Sequence, residues 1–174
     1  MSHPVLFLCT GNAARSVMAG AALAAHLPHW HVATAGTLVV EGQPMSWRTR
    51  AALEHVGLEA SHHRSRQADA AALGHAALVV GLAPEHVHWV RRTHPGAAGR
   101  TGTLRRLARD LPAGAQPLAD RVAALGLADV ALGDWEEVVD PGGGDAAAFT
   151  ACAIEVTALV AELARRLDPP SPPT

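Results

Sequence analysis

A continuous apolar run, Val5–Cys9, passes straight into a glycine-containing turn and then into an alanine-rich stretch, Ser16–His26. Five unbroken apolar residues read as a strand buried on both faces, because a strand with one wet face would alternate. The alanine-rich stretch after it reads as a helix with Ser16 near its start. Strand, tight turn and helix in that order open a right-handed βαβ unit, which needs parallel neighbours and helices on both sides of a sheet.

The remaining chain repeats the alternation. His31–Ala35 is a second expected strand, closed by Gly36. Ser46–Val56 after Pro44 is an expected helix that Gly57 ends, Gln67–Leu73 a short helix, and His75–Val80 a third strand. Pro84–Arg92 follows as a helix with proline at a favourable first-turn position. A fourth strand, Thr101–Leu104, is expected to run into a helical Arg105–Asp110, and Pro117–Leu127 reads as another short helix. The turn-forming Asp140-Pro141-Gly142-Gly143-Gly144 precedes a long amphipathic helix, Ala146–Leu167. The expected architecture is one α/β domain over residues 1–167, three layers α/β/α around a central four-stranded parallel sheet. Residues 168–174 form a proline-rich tail read as disordered.

In such sheets ligands bind beyond the carboxyl ends of the strands, where Cys9 lies. Five residues separate Cys9 from Arg15, and Ser16 follows directly. Backbone amides of the turn and the start of the helix attract an anion. The same positive field favours a thiolate at Cys9, and Arg15 offers a planar fork for two phosphate oxygens. Cys9 is therefore a candidate nucleophile aimed at a bound oxyanion. The amides from Thr10 through Gly11, Asn12, Ala13, Ala14 and Arg15 are expected to meet its equatorial oxygens. Gly11 is expected to supply close approach or a positive φ, Asn12 tolerates the left-handed region, and Ser16 can donate to the Cys9 sulfur.

Composition closes off other classes. The 174 residues are 49% apolar, enough for one real core, and the formal charge of -2 comes from interspersed signs. That leaves no basic stripe for nucleic acid. The eleven histidines are scattered, and Glu85-His86-Val87-His88 and His62-His63 read as surface residues rather than a metal site. Cys9 and Cys152, far apart, do not read as a disulfide. No run reads as a membrane span and Val5–Cys9 lacks the features of a signal peptide, so a cytoplasmic location with no membrane partner is expected.

Cys9-Thr10-Gly11-Asn12-Ala13-Ala14-Arg15-Ser16 resembles the phosphate-binding loop of the low-molecular-weight protein tyrosine phosphatases and the related thiol-dependent arsenate reductases. The likeness extends along most of the chain. Thr34-Ala35-Gly36-Thr37, Gly42-Gln43-Pro44-Met45, His63-Arg64-Ser65-Arg66-Gln67 and Asp140-Pro141 each resemble a family motif. The resemblance implies a cysteinyl-phosphate at Cys9 with Arg15 as clamp and no cofactor or metal. It also implies Asp140 as general acid, which the loop itself lacks. Asn12, Ser16, Thr34 and His63 are implied to form a supporting hydrogen-bond network.

Departures bear on substrate. Ala14 stands where the family has a second cysteine, so the protective disulfide within the loop cannot form. Val17 replaces a proline, and Ala13 is smaller than the usual isoleucine or threonine. Leu38-Val39-Val40 and Gly142-Gly143-Gly144 stand where aromatics usually wall the pocket, leaving Trp47 or Trp135 as substitutes. The segment Arg105–Trp135 is longer than usual. The expected activity is hydrolysis of a phosphomonoester, phosphotyrosine on a protein first and phosphoarginine second. Arsenate reduction resolved by a small thiol and a non-catalytic phosphate-binding module are the competing readings.

Overall fold

In a computed structural model, which describes residues 4–169, the chain forms four parallel strands and seven α-helices. They run β1 Val5–Cys9, α1 Arg15–His26, β2 Val32–Gly36, α2 Trp47–His55, α3 Ala70–His75 and β3 Leu78–Gly81. They continue as α4 Pro84–Thr93, β4 Thr101–Thr103, α5 Leu104–Asp110, α6 Leu118–Ala123 and α7 Ala146–Leu167. The three-layer α/β/α architecture expected from the sequence is present. Of the tail 168–174, all but Asp168 and Pro169 lie outside the described residues.

Strand order is β2-β1-β3-β4. β1 pairs with β2 from Val5↔Val32 to Cys9↔Gly36, and with β3 from Val5↔Leu78 to Leu8↔Gly81. The chain leaves β1 to one side through α1 and returns to its other side at β3. The crevice between the carboxyl ends of β1 and β3 is thus the point where winding reverses, and ligands settle there in open parallel sheets.

Alternation along β1 separates two cores. Val5, Phe7 and Cys9 join α1, α2, α5, α6 and α7, while Leu6 and Leu8 join Leu73 of α3 and Val90 of α4. α7 is long and apolar enough to cross a membrane by length and composition, which the sequence reading did not allow for. It packs Phe149, Cys152, Val156, Val160 and Leu163 into the first core, and Glu155, Glu162, Arg165 and Arg166 punctuate it. It is a core helix.

Several boundaries shift for local reasons. Gly36 belongs to β2 because it takes the ladder place opposite Cys9. α3 starts later than expected, at Ala70, because the Asp69 side chain accepts from the Ala72 amide at 2.8 Å. His75 accordingly ends that helix instead of opening β3. α6 stops at Ala123, and Gly126, with φ 58°, turns the chain away.

Candidate active site

Cys9 ends β1 and Arg15 opens α1, so the five residues between them close a loop over the crevice. Asn12 supplies the left-handed turn, with φ 51°. Gly36 supplies the close approach. A Cβ there would stand 2.4 Å from the Thr10 carbonyl oxygen and 3.0 Å from the Asn12 amide nitrogen, so any larger residue would push β2 off the loop. Gly11 does not have a positive φ, and a Cβ there would meet no protein atom within 4 Å.

Among the described residues, no protein carbonyl accepts from the backbone amides of residues 11–14 outside regular secondary structure. α1 begins without a side-chain cap or an acidic residue in its first turn. Both features leave N–H groups and the positive helix end free to meet an anion.

Beneath the loop, hydrogen bonds run in one direction. The Arg66 amide donates to Asn12 Oδ1 at 3.0 Å, which fixes the amide's orientation. Asn12 Nδ2 then donates to Ser16 Oγ at 2.9 Å and to Thr34 Oγ1 at 3.0 Å. His63 Nε2 lies 2.8 Å from the Asn12 carbonyl oxygen, so this nitrogen carries the hydrogen. Burial lowers the His63 pKa more than that carbonyl raises it, with Arg64 lowering it further. Ser16 Oγ is 2.9 Å from Cys9 Sγ. Asn12, Ser16, Thr34 and His63 thus come together as expected. Thr34 fits its methyl against Gly20: a Cβ at Gly20 would lie 2.5 Å from Thr34 Cγ2.

Arg15 is 3% exposed. Its Nη1 donates to the Val138 carbonyl at 3.1 Å, and the Val138 amide donates to the Leu82 carbonyl at 2.8 Å. The segment carrying Asp140 is therefore docked on the end of β3. Asp140 Oδ2 lies 3.5 Å from Arg15 Nη2, and its Oδ1 accepts from the Gly142 amide at 2.9 Å. On another side, Thr49 Oγ1 donates to the Ala13 carbonyl at 3.1 Å, tying the start of α2 to the loop. Ala13 is exposed and Ala14 half-buried. Cys9 and Cys152 are both free and buried.

The first turn of α4 contributes two residues that the sequence reading placed on the surface or left aside. His86 is buried, not superficial. Its Nδ1 accepts from the Ala83 amide at 3.0 Å, so Nε2 carries the hydrogen and faces Thr10 Oγ1 at 3.0 Å. Burial, with the Arg15 charge second, pushes its pKa down to about 3, so the ring is neutral. Glu85 Oε1 lies 3.4 Å from Thr10 Oγ1 and 3.9 Å from Arg15 Nη2. The signal was available: both residues follow β3, on the far side of the same crevice.

Trp135 does not substitute as a pocket wall. The guanidinium of Arg109 covers its ring at 4.0 Å and that of Arg106 at 5.3 Å. The long Arg105–Trp135 segment is held by buried Glu136, which accepts from Arg106, from Thr103 Oγ1 at 2.7 Å and from the Gly133 amide at 2.8 Å. Trp47 is exposed at the start of α2, two residues before Thr49. Among the described residues, no group of three His, Cys, Asp or Glu side chains could hold a metal ion.

Residues 4–111 match the family model described as low molecular weight phosphotyrosine protein phosphatase. The protein belongs to this family. It is similar over its whole length to a protein-arginine-phosphatase of Geobacillus stearothermophilus, with 29% identity over 168 residues, 96% of this chain and 97% of that one. A probable low molecular weight protein-tyrosine-phosphatase, EpsP, of Ralstonia nicotianae is 30% identical over 107 residues, 62% of this chain and 72% of that one. Among solved family structures, the YwlE arginine phosphatase from G. stearothermophilus superposes with a TM-score of 0.76 at 28% identity, covering 95% of this chain and 92% of that chain. The low molecular weight protein tyrosine phosphatase from T. tengcongensis gives 0.74 at 26% identity, covering 93% and 97%. The protein is a phosphatase of this family.

Proposed function

We propose that the protein dephosphorylates phosphoarginine on proteins through a cysteinyl-phosphate at Cys9. The observation that carries this reading is the convergence of three groups on one pocket: the Cys9 sulfur, held 2.9 Å from Ser16, the Arg15 fork, and Asp140, 3.5 Å from that fork. Arg15 and the amides of Thr10, Gly11, Asn12, Ala13 and Ala14 hold the non-bridging oxygens and meet the charge that builds on them in the transition state. The Cys9 sulfur attacks phosphorus in line. The bond from phosphorus to the leaving nitrogen breaks, its electron pair stays with nitrogen, and Asp140 gives that nitrogen a proton. In the second step water gives a proton back to Asp140 and attacks phosphorus. The sulfur leaves toward the Ser16 hydroxyl. Asn12, Thr34 and His63 hold the loop in shape and touch no substrate.

The sequence alone puts phosphotyrosine first among substrates. Two observations favour phosphoarginine. The expected aromatic wall is filled by exposed Leu38 and Val40 and by glycines 142–144, while Trp135 is already covered by arginines. A curated relative that matches 96% of the chain is named for arginine phosphatase activity, while the curated tyrosine phosphatase relative EpsP matches 62% and the T. tengcongensis tyrosine phosphatase structure covers 93%. A free thiol nucleophile suits a reducing compartment such as the cytoplasm.

Steady-state turnover of p-nitrophenyl phosphate and of a phosphoarginine peptide by wild type, Cys9→Ser and Asp140→Ala tests this. Both substrates should turn over in wild type. The first change should abolish activity, and the second should lower kcat on the order of a hundredfold. No wild-type turnover in reducing buffer sinks the phosphatase mechanism. Thiol-dependent arsenate reduction alone would replace it with a reductase, and phosphate binding alone with a binding module. Turnover of phosphotyrosine but not phosphoarginine peptides returns the substrate to phosphotyrosine.

A further inference from the structure

We propose that Glu85 is a specificity residue that receives the cationic leaving group of the substrate, a role that rests on the phosphoarginine reading and sharpens it. Two carboxylates reach the same nitrogen of Arg15 from separate loops. Asp140 Oδ2 comes from the segment before α7 at 3.5 Å, and Glu85 Oε1 from the first turn of α4 at 3.9 Å. Their side chains are 58% and 66% exposed, while the arginine between them is 3% exposed. They therefore stand at the mouth of the pocket with Arg15 at its floor.

A carboxylate in the first turn of a helix is ordinary, since it meets the positive end of the helix dipole. Glu85 is not used that way. Among the described residues its recorded partners are Thr10, His86 and Arg15, and no amide of α4 donates to it. Thr10 Oγ1 and His86 Nε2 each lie 3.4 Å from Oε1. His86, buried and held by the Ala83 amide, fixes this corner from below. The carboxylate is thus turned toward the loop and held there by residues that belong to it.

Local charge says what such a group selects. Arg15 contributes one positive charge, and His86 is neutral. A phosphoryl dianion with an aryl leaving group brings only negative charge toward Glu85, and its leaving group carries no charge to attract that carboxylate. A phosphorylated guanidinium brings its own positive charge and N–H donors to the atoms just beyond phosphorus. Those donors match the planar geometry of a carboxylate. Glu85 therefore favours the cationic substrate and disfavours the aryl one, a discrimination that uses repulsion as well as attraction.

The test compares kcat/KM for a phosphoarginine peptide and for p-nitrophenyl phosphate in wild type, Glu85→Gln and Glu85→Lys. Glu85→Gln should lower the phosphoarginine value about tenfold, the loss of one charge-assisted contact, and raise the aryl value a few-fold as the repulsion is removed. Glu85→Lys should lower the phosphoarginine value further and raise the aryl value further, so that the preference for phosphoarginine narrows or inverts. The site is exposed, so both variants should fold with the wild-type circular dichroism spectrum. Equal losses on both substrates would mean that Glu85 acts by holding Arg15, and the proposal fails. Unchanged values on both also overturn it while leaving the phosphoarginine reading intact. A wild type that cleaves the aryl ester and no phosphoarginine overturns that reading, and this role with it.

Discussion

The Ser16 hydroxyl oxygen lies 2.9 Å from the Cys9 sulfur and, on its other side, accepts from Asn12 Nδ2 at 2.9 Å. Because the Asn12 amide is oriented by the Arg66 N–H, the serine's own hydrogen is left to point at sulfur. Its effect falls on the step in which sulfur leaves phosphorus. Ser16→Ala should therefore slow hydrolysis of the cysteinyl-phosphate more than its formation. Stopped-flow assays with p-nitrophenyl phosphate should show a burst of nitrophenol near one equivalent, followed by a steady rate lowered on the order of tenfold to a hundredfold. A uniform fall in both phases would place the serine's role elsewhere.

Gly20 and Thr34 form a second coupled pair. A Cβ at Gly20 would stand 2.5 Å from Thr34 Cγ2, too close for either atom to stay. Gly20→Ala should cost about 1–3 kcal/mol by overpacking and loosen the Asn12 contact to Thr34. Thr34→Ser removes the offending methyl and keeps the hydroxyl. In that background the same alanine should be neutral or stabilising, since glycine in a helix interior costs about 1 kcal/mol relative to alanine. Urea unfolding of the four proteins should give a coupling energy of at least about 1 kcal/mol, and additive effects would refute the contact.

What was legible in the sequence follows from how local each signal was. Val5–Cys9, the loop and α1 are set by neighbours in the chain, so strand, turn and helix could be read in order. Gly36 could not be assigned its role, because the loop backbone it admits lies about 25 residues away. His86 looked superficial among charged neighbours, and only the reversal of winding at β1 and β3 buries it against Thr10. Trp135 was free to be a pocket wall until α5 brought Arg106 and Arg109 onto its ring.

The two cysteines should differ sharply in reactivity. Burial pushes the Cys152 thiol up to about 12, with Glu155 adding to the effect, and its sulfur is 4.0 Å from the Val139 carbonyl inside the core. It stays a thiol at neutral pH. Iodoacetamide at pH 7.5 should modify one equivalent, at Cys9, and inorganic phosphate should slow that modification. Mass spectrometry of the digested protein assigns the site. Labelling of Cys152 in the native state at a rate comparable to Cys9 would contradict this.

His86 gives the fold a limit on the acid side. The unfolded chain protonates a histidine near 6.5, whereas the buried ring, held by Ala83 and facing Thr10, protonates only near about 3. Between those values the unfolded state binds more protons, so stability falls as pH is lowered. The contribution is fully present above 6.5 and is lost through that window, with a limiting slope of about 1.4 kcal/mol per pH unit. His63, also lowered by burial, acts in the same direction. Glu136 does not interfere above pH 5. Burial raises its pKa, but bonds from Arg106, Gly133 and Thr103 outweigh that and hold it below 4.5, so its stabilisation is lost only in stronger acid. Thermal melts at pH 7, 6 and 5 should therefore show Tm falling with pH. His86→Gln keeps a donor and an acceptor but removes the titration, so its Tm should start somewhat lower at pH 7 and fall less steeply. A variant as steep as wild type would show that another group carries the acid sensitivity, and that the ring between Thr10 and Ala83 takes up a proton without cost to the fold.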